Sequence, residues 1–148
     1  LSIATALSHN AKLLILDEPT SGLDPIVRNE ILDIFLDFIQ DEERSILFST
    51  HVTSDLDKIA DYITFIHEGS LVLSEPKDDI LNKYAIVKCD EEQFERIDKS
   101  HIISYRKNSF GIEVLVDNIQ NIKAYEDYIV DSVNLEDVML FYIRRENQ

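Results

Sequence analysis

Alternating blocks of apolar and polar residues divide the chain into a series of short strands and helices. Strand-like apolar runs occupy 13–16, 45–49, 62–67, 71–73, 85–89, 101–106 and 110–116. Apolar residues at helical spacing predict helices over 1–7, 25–40, 53–60, 76–84, 91–97, 118–130 and 135–145. Strand and helix alternate through the first half, which is typical of an α/β fold with parallel strands.

The pattern changes near 83–85. Beyond that point the order is strand, helix, strand, strand, helix and then a terminal helix, with a hairpin predicted between 101–106 and 110–116. We therefore expect two domains, an α/β part over 1–84 and a small α+β domain over 85–148. The second part offers no metal-ligand spacing or nucleophile arrangement, so we expect a regulatory or dimer-stabilising role for it.

Composition narrows the class of protein. With 148 residues and 45% hydrophobic content, the chain has enough apolar surface for a real core. A single cysteine, Cys89, excludes an intramolecular disulfide and fits a reducing cytosol. The net charge of −15 repels phosphate backbones, so nucleic acid is not an expected partner.

The segment 13–24 carries the clearest chemical signal. Four apolar residues, Leu13–Leu16, predict a strand that ends at the adjacent carboxylates of Asp17 and Glu18. A small polar loop follows and ends at Asp24. Ligands of α/β sheets bind at such carboxyl ends, and a magnesium–nucleotide site needs this type of acidic pair. A lone Asp-Glu pair is more often the polar exit of a core strand, but the twelve-residue string is far more specific.

A histidine follows the next predicted strand. His51 comes two residues after 45–49, and a helix over 25–40 supplies the long crossover that parallel strands require. A lone histidine in that position more often has no catalytic role. Here Glu18 and His51 are expected at the same sheet edge, which favours a functional pair.

These residues resemble motifs of the ATP-binding-cassette (ABC) ATPases. The string 13–24 resembles their Walker B motif and D-loop, and Ser49-Thr50-His51 resembles their switch histidine. The resemblance covers roughly 1–84 and implies the C-terminal part of a P-loop NTPase parallel sheet. It implies ATP and Mg²⁺ as cofactors, with Glu18 polarising the attacking water and His51 contacting the γ-phosphate. The resemblance implies that Asp17 is the metal ligand. It also implies that the residues which bind the cofactor are Asp17, Ser21, Gly22 and Asp24.

One half of such a site is missing from this sequence. The glycines Gly22, Gly69 and Gly111 do not begin a Gly-x-x-x-x-Gly-Lys-Ser/Thr loop, which cradles phosphates in P-loop proteins. We therefore expect a C-terminal part of a longer protein that alone neither hydrolyses nor tightly binds ATP. Asp55 and Asp57 stand where the family often has glutamates, so the match is looser after the switch.

The resemblance implies an ATP-binding subunit that couples MgATP hydrolysis to transport. Such a subunit works as a homo- or heterodimer with a separate membrane permease, at the cytoplasmic face of the cell membrane. The motif form is most similar to ABC-2-type exporters. The alternative is a soluble ABC ATPase of DNA repair or translation, which would favour heptads or basic arms that this sequence lacks.

The strand edges give one further expectation. We expect 13–16 and 45–49 to pair in parallel. The free edge of 45–49 should then be covered by 62–67 or by another chain, so unpaired edges would favour oligomerisation.

Overall fold

A computed structural model of the chain describes residues 2–117 and 127–145. Its helices are α1 (Ser2–Leu7), α2 (Pro25–Ile39), α3 (Thr53–Ile59), α4 (Lys77–Lys83), α5 (Glu91–Arg96) and α6 (Leu135–Arg145). Its strands are β1 (Leu13–Asp17), β2 (Ser45–Ser49), β3 (Tyr62–His67), β4 (Ser70–Pro76), β5 (Ala85–Cys89), β6 (Ile102–Asn108), β7 (Gly111–Val116) and β8 (Ile129–Ser132). The fold is mixed α/β with small sheets, in agreement with the predicted class. Within these ranges no helix combines the length and apolar character needed to cross a bilayer.

The chain divides into two compact units, Leu1–Ile59 and Ala60–Gln148. The predicted boundary near 83–85 lies inside the second unit, since β3, β4 and α4 group with the later sheet. The division into 1–84 and 85–148 stays a prediction about domains.

In the first unit, β1 and β2 pair in parallel as predicted. Leu13 lies opposite Ser45 and Asp17 lies opposite Ser49, with α2 as the crossover between the strands. One face of this sheet packs on α2, whose Leu32 and Phe35 form a buried core with Ile59. That packing fixes the strand register and therefore which side chains meet at the carboxyl edge.

The opposite face of the β1–β2 sheet is exposed. Leu13, Ile15 and Leu47 are 53%, 71% and 61% exposed, whereas Leu14 is buried. The apolar run of β1 is therefore buried on one side of the strand only. Alternate side chains of a strand point to opposite faces, and helix α2 covers one face only.

In the second unit, β3 and β4 form an antiparallel hairpin. Its turn residues Glu68 and Gly69 have φ values of +46° and +77°, the geometry that matches the twist of a two-residue hairpin. Among the described residues β2 pairs with β1 alone, so the expectation that 62–67 would cover its free edge is wrong, and cover by another chain stays a prediction. Pairing of β3 with β4 closes a loop of two residues, which costs less conformational entropy than closing the longer loop back to β2.

The remaining strands form an antiparallel sheet in the order β6-β7-β5-β8. Its central strands contribute Val87, Val114 and Val116 to the core, and α6 lies against β6. The predicted helix over 118–130 falls mostly on 118–126, which lie outside the described residues. Its last part is wrong, because Ile129 and Val130 belong to β8 and pair with β5. Branched side chains suit that half-buried edge.

Candidate active site at the carboxyl edge of β1 and β2

The parallel pairing of β1 and β2 brings the predicted acidic pair and the predicted histidine to one edge. Asp17 is the last residue of β1 and lies opposite Ser49, the last residue of β2. Glu18 and His51 follow in the two loops that leave these strands. The predicted meeting of these loops is therefore observed, and it follows from strand direction alone.

Ser49 connects the two strand ends. Its hydroxyl donates a short hydrogen bond to Asp17 Oδ1. The backbone N–H of Glu18 donates to both the carbonyl oxygen and the Oγ of Ser49, at 3.1 Å each. These contacts hold the two carboxylate-bearing residues in register with β2.

The carboxylate of Glu18 reaches the imidazole of His51. Glu18 Oε2 lies 2.9 Å from His51 Nδ1, and the two side chains are 35% and 70% exposed. An ionised carboxylate accepts hydrogen bonds only, so the shared proton belongs to Nδ1. This contact leaves His51 Nε2 available for a further polar group.

The backbone at Glu18 is strained. Its φ is +47°, a left-handed conformation that is uncommon for residues other than glycine. The turn that follows is closed by Ser21 N–H donating to Glu18 O at 3.1 Å, and Gly22 has a φ of +74°. Such strain clusters at functional sites and persists only where neighbouring contacts enforce it.

Asp24 ends this turn as the N-cap of α2. Its Oδ1 accepts from the N–H groups of Ile26 and Val27 at 3.0 and 3.2 Å, and Pro25 occupies the first helical position. An aspartate cap followed by proline is a common start for a helix. Ser21, Gly22 and Asp24 are all exposed, and their predicted cofactor-side role stays a prediction.

Three residues near this edge, Thr20, Arg28 and Asp55, form a polar cluster for which the sequence predicts no function. Thr20 and Asp55 are 2% and 1% exposed, and the Thr20 hydroxyl donates to Asp55 Oδ2 at 2.6 Å. The Arg28 guanidinium donates from Nε to Asp55 Oδ1 at 2.7 Å. The only signal in the sequence is an arginine near the start of one predicted helix and an aspartate near the start of the next. Their meeting depends on how α2 and α3 pack.

The oxygen atoms at this edge suit Mg²⁺, but they provide only part of a coordination shell. Asp17 and the Ser49 hydroxyl provide hard oxygen atoms, which Mg²⁺ prefers. Over 2–117 and 127–145 the chain holds no group of three acidic, histidine or cysteine side chains that would bind a metal by themselves. Mg²⁺ in nucleotide sites commonly takes one or two carboxylates, with phosphate oxygens and waters completing its shell.

Comparison with known proteins gives a consistent set of relatives. No family model matches the chain. It is 45% identical over 78 residues to the lantibiotic transport ATP-binding protein SrtF of Streptococcus pyogenes, covering 53% of this chain and 34% of that protein. It is 41% identical over 78 residues to the bacitracin transport ATP-binding protein BcrA of Bacillus licheniformis, covering 53% of this chain and 26% of that protein.

A third relative is named for the import of thiamine. The thiamine import ATP-binding protein ThiQ of Photobacterium profundum is 36% identical over 91 residues, with 56% of this chain and 38% of that protein covered. The chain thus spans about a third of the length of these curated relatives. The predicted resemblance is confirmed: over about half of its length, the chain is similar to part of the ATP-binding proteins of ABC transporters.

Proposed function

We propose that the whole protein containing this segment is the ATP-hydrolysing subunit of an ABC transporter. The observation that carries the proposal is the contact between Glu18 and His51 at the carboxyl edge of two parallel strands. The relatives are named as transport ATP-binding proteins, which favours transport over a soluble ABC ATPase of another process. The motif form favours an exporter of the ABC-2 type.

Glu18 is the proposed general base. Its second carboxylate oxygen would accept a proton from a water molecule as that water attacks the terminal phosphorus. Its contact with His51 restricts the carboxylate to one orientation, and such positioning is a large part of phosphoryl-transfer catalysis. With Nδ1 donating to Glu18, the His51 Nε2 would contact a γ-phosphate oxygen as a donor when the ring carries its second proton, as imidazolium.

Asp17 is the proposed Mg²⁺ residue. Bound Mg²⁺ would neutralise phosphate charge at this strongly acidic chain. The hydrogen bond from Ser49 restricts the orientation of the Asp17 carboxylate, directly beside the strand end that carries Glu18. The two adjacent carboxylates thus have different proposed roles: Asp17 binds Mg²⁺, and Glu18 accepts the proton from water.

The missing phosphate loop limits what this segment does by itself. No glycine-rich phosphate-binding sequence accompanies Asp17 and Glu18, so the 148 residues alone should neither hydrolyse ATP nor bind it tightly. In the whole protein, the exposed turn of Ser21, Gly22 and Asp24 would meet a second ATPase subunit. A separate permease would hold that dimer at the cytoplasmic face of the membrane.

The test is Glu18→Gln in the whole protein. Gln keeps the size of the side chain but loses the proton acceptor, so ATP hydrolysis should fall at least about 100-fold while ATP-driven dimerisation remains. Glu30→Gln, an exposed glutamate on α2, is the matched control and should hydrolyse ATP normally. Normal turnover by Glu18→Gln would refute the assignment of Glu18.

A further inference from the structure

The buried cluster and the strained turn share one segment of chain. Glu18 has its left-handed φ of +47°, and Thr20 is buried two residues later. Between them the chain must reverse from the strand edge toward α3. A turn with an unfavourable backbone conformation needs an anchor on both sides.

The first anchor is the strand end. The N–H of Glu18 is held by the carbonyl and hydroxyl oxygens of Ser49, as described above. These contacts lie in an exposed part of the molecule, where water competes with each of them. They fix the start of the turn but not its exit.

The second anchor is Asp55. Its carboxylate is 1% exposed and has a donor on each oxygen, Thr20 on Oδ2 and Arg28 on Oδ1. A buried charge with both oxygens satisfied has few alternative arrangements, because any movement would leave a polar group unpaired. The exit of the turn is thereby fixed to α3.

Asp55 also contacts the loop that carries His51. It lies in the first turn of α3, and its N–H donates to Val52 O at 3.1 Å, one residue after His51. One residue therefore contacts both loops that carry the proposed catalytic pair: the carboxylate of Asp55 accepts from Thr20, and its backbone N–H donates to Val52 O. It touches neither Glu18 nor His51 in the described hydrogen bonds.

We propose that Asp55 is a positioning residue, which acts through Thr20 to hold the strained turn that places Glu18 against His51. This inference rests on the proposed function for its catalytic consequence, but its structural part is independent of ATP.

Thr20→Val is the decisive variant, because Asp55→Ala would leave Arg28 unpaired and risks unfolding the chain. Valine keeps the shape of threonine and removes only the hydroxyl. In the whole protein we expect kcat for ATP hydrolysis to fall about tenfold or more, with KM for ATP changed less than about twofold, because the turn positions the base but does not hold the phosphates. Thr20→Ser restores the hydroxyl and should recover most of kcat.

The matched control is Thr64→Val. Thr64 Oγ1 shares a 3.0 Å hydrogen bond with Ser74 Oγ in the β3–β4 hairpin, so this variant makes the same substitution at an exposed threonine outside the site. Its kcat should remain normal. An equal loss of kcat in Thr64→Val, or a failure of Thr20→Ser to recover activity, would overturn the proposal.

Amide hydrogen exchange supplies the readout that does not depend on hydrolysis. In Thr20→Val, peptides covering 18–24 should exchange about tenfold faster, while peptides covering 45–49 remain unchanged. Unchanged exchange over 18–24, or faster exchange over both segments, would overturn the positioning role. If Glu18→Gln hydrolyses ATP normally, the proposed function fails, whereas the exchange result still decides whether Thr20 holds the turn.

Discussion

Glu18 Oε2 lies 2.9 Å from His51 Nδ1, although the two residues are 33 positions apart in the chain. The parallel register of β1 and β2 is what joins them, because both strands end at the same edge. Neither side chain is deeply buried. The ends of the two strands therefore bring the pair together, and it remains accessible to a ligand.

The first prediction concerns His51. In the whole protein, His51→Ala should lower ATP hydrolysis at least about 100-fold, because Glu18 loses its orienting partner and the phosphate loses a contact. The rate is measured as phosphate release at saturating MgATP. His9→Ala removes another exposed histidine, one bonded to Thr5 O, and should leave the rate unchanged. A near-normal rate for His51→Ala would contradict its assignment.

The second prediction concerns the ion pair beneath the edge. Arg28→Met removes the cation beside Asp55 and leaves a buried carboxylate with one donor fewer. The free energy of unfolding should fall by about 2–4 kcal/mol, since breaking a buried pair costs far more than breaking an exposed one. Urea denaturation of the 148-residue chain measures this change.

Arg44→Met provides the comparison for Arg28→Met. Arg44 pairs with Asp41 at 3.2 Å on an exposed surface, where an ion pair contributes about 1 kcal/mol or less. Equal losses of stability in the two variants would show that the buried ion pair contributes no more to the free energy of unfolding than the exposed one.

Local signals were sufficient to predict the candidate site. The apolar run before Asp17, the cap at Asp24 and the histidine after β2 are each set by neighbours in sequence, and strand direction then brings Glu18 and His51 together. Each of these features depends on residues close together in the chain, so the sequence alone is enough to predict it.

Features set by distant packing could not be predicted in the same way. The burial of Asp55 depends on α2 and α3 crossing so that Thr20 and Arg28 face it, and nothing local indicates that crossing. The strand at Ile129–Ser132 is likewise stabilised by its pairing with β5. In both cases tertiary contacts outweigh the local preference of the segment.

The third prediction concerns Cys89. Burial, with a smaller contribution from the charge of Asp90, raises the pKa of the Cys89 thiol above its ordinary value of 9.0. At pH 8 the native chain should react with a thiol reagent at least about tenfold more slowly than the urea-unfolded chain, because the thiolate is the reactive form. Equal rates would contradict the burial of this side chain.

The same shift gives a pH dependence of stability. The folded state favours the neutral thiol, so its contribution is complete below the ordinary pKa of 9.0 and is lost as pH rises through the higher folded value. Cys89→Ser should therefore lose less stability than the original chain between pH 8 and pH 10, measured by urea denaturation.

The last prediction concerns the exposed face of the β1–β2 sheet. Leu13, Ile15 and Leu47 form an apolar surface on a sheet where, among the described residues, β1 is the only ladder partner of β2. We expect the 148-residue chain to self-associate through it, because covering each such side chain is worth about 1.5–3 kcal/mol. Leu47→Lys should weaken association about tenfold or more in sedimentation or light scattering. Leu71→Lys changes an equally exposed leucine of the β3–β4 hairpin and should leave association unchanged. A chain that is monomeric without substitution, or equal effects of the two lysines, would show that this face does not drive association.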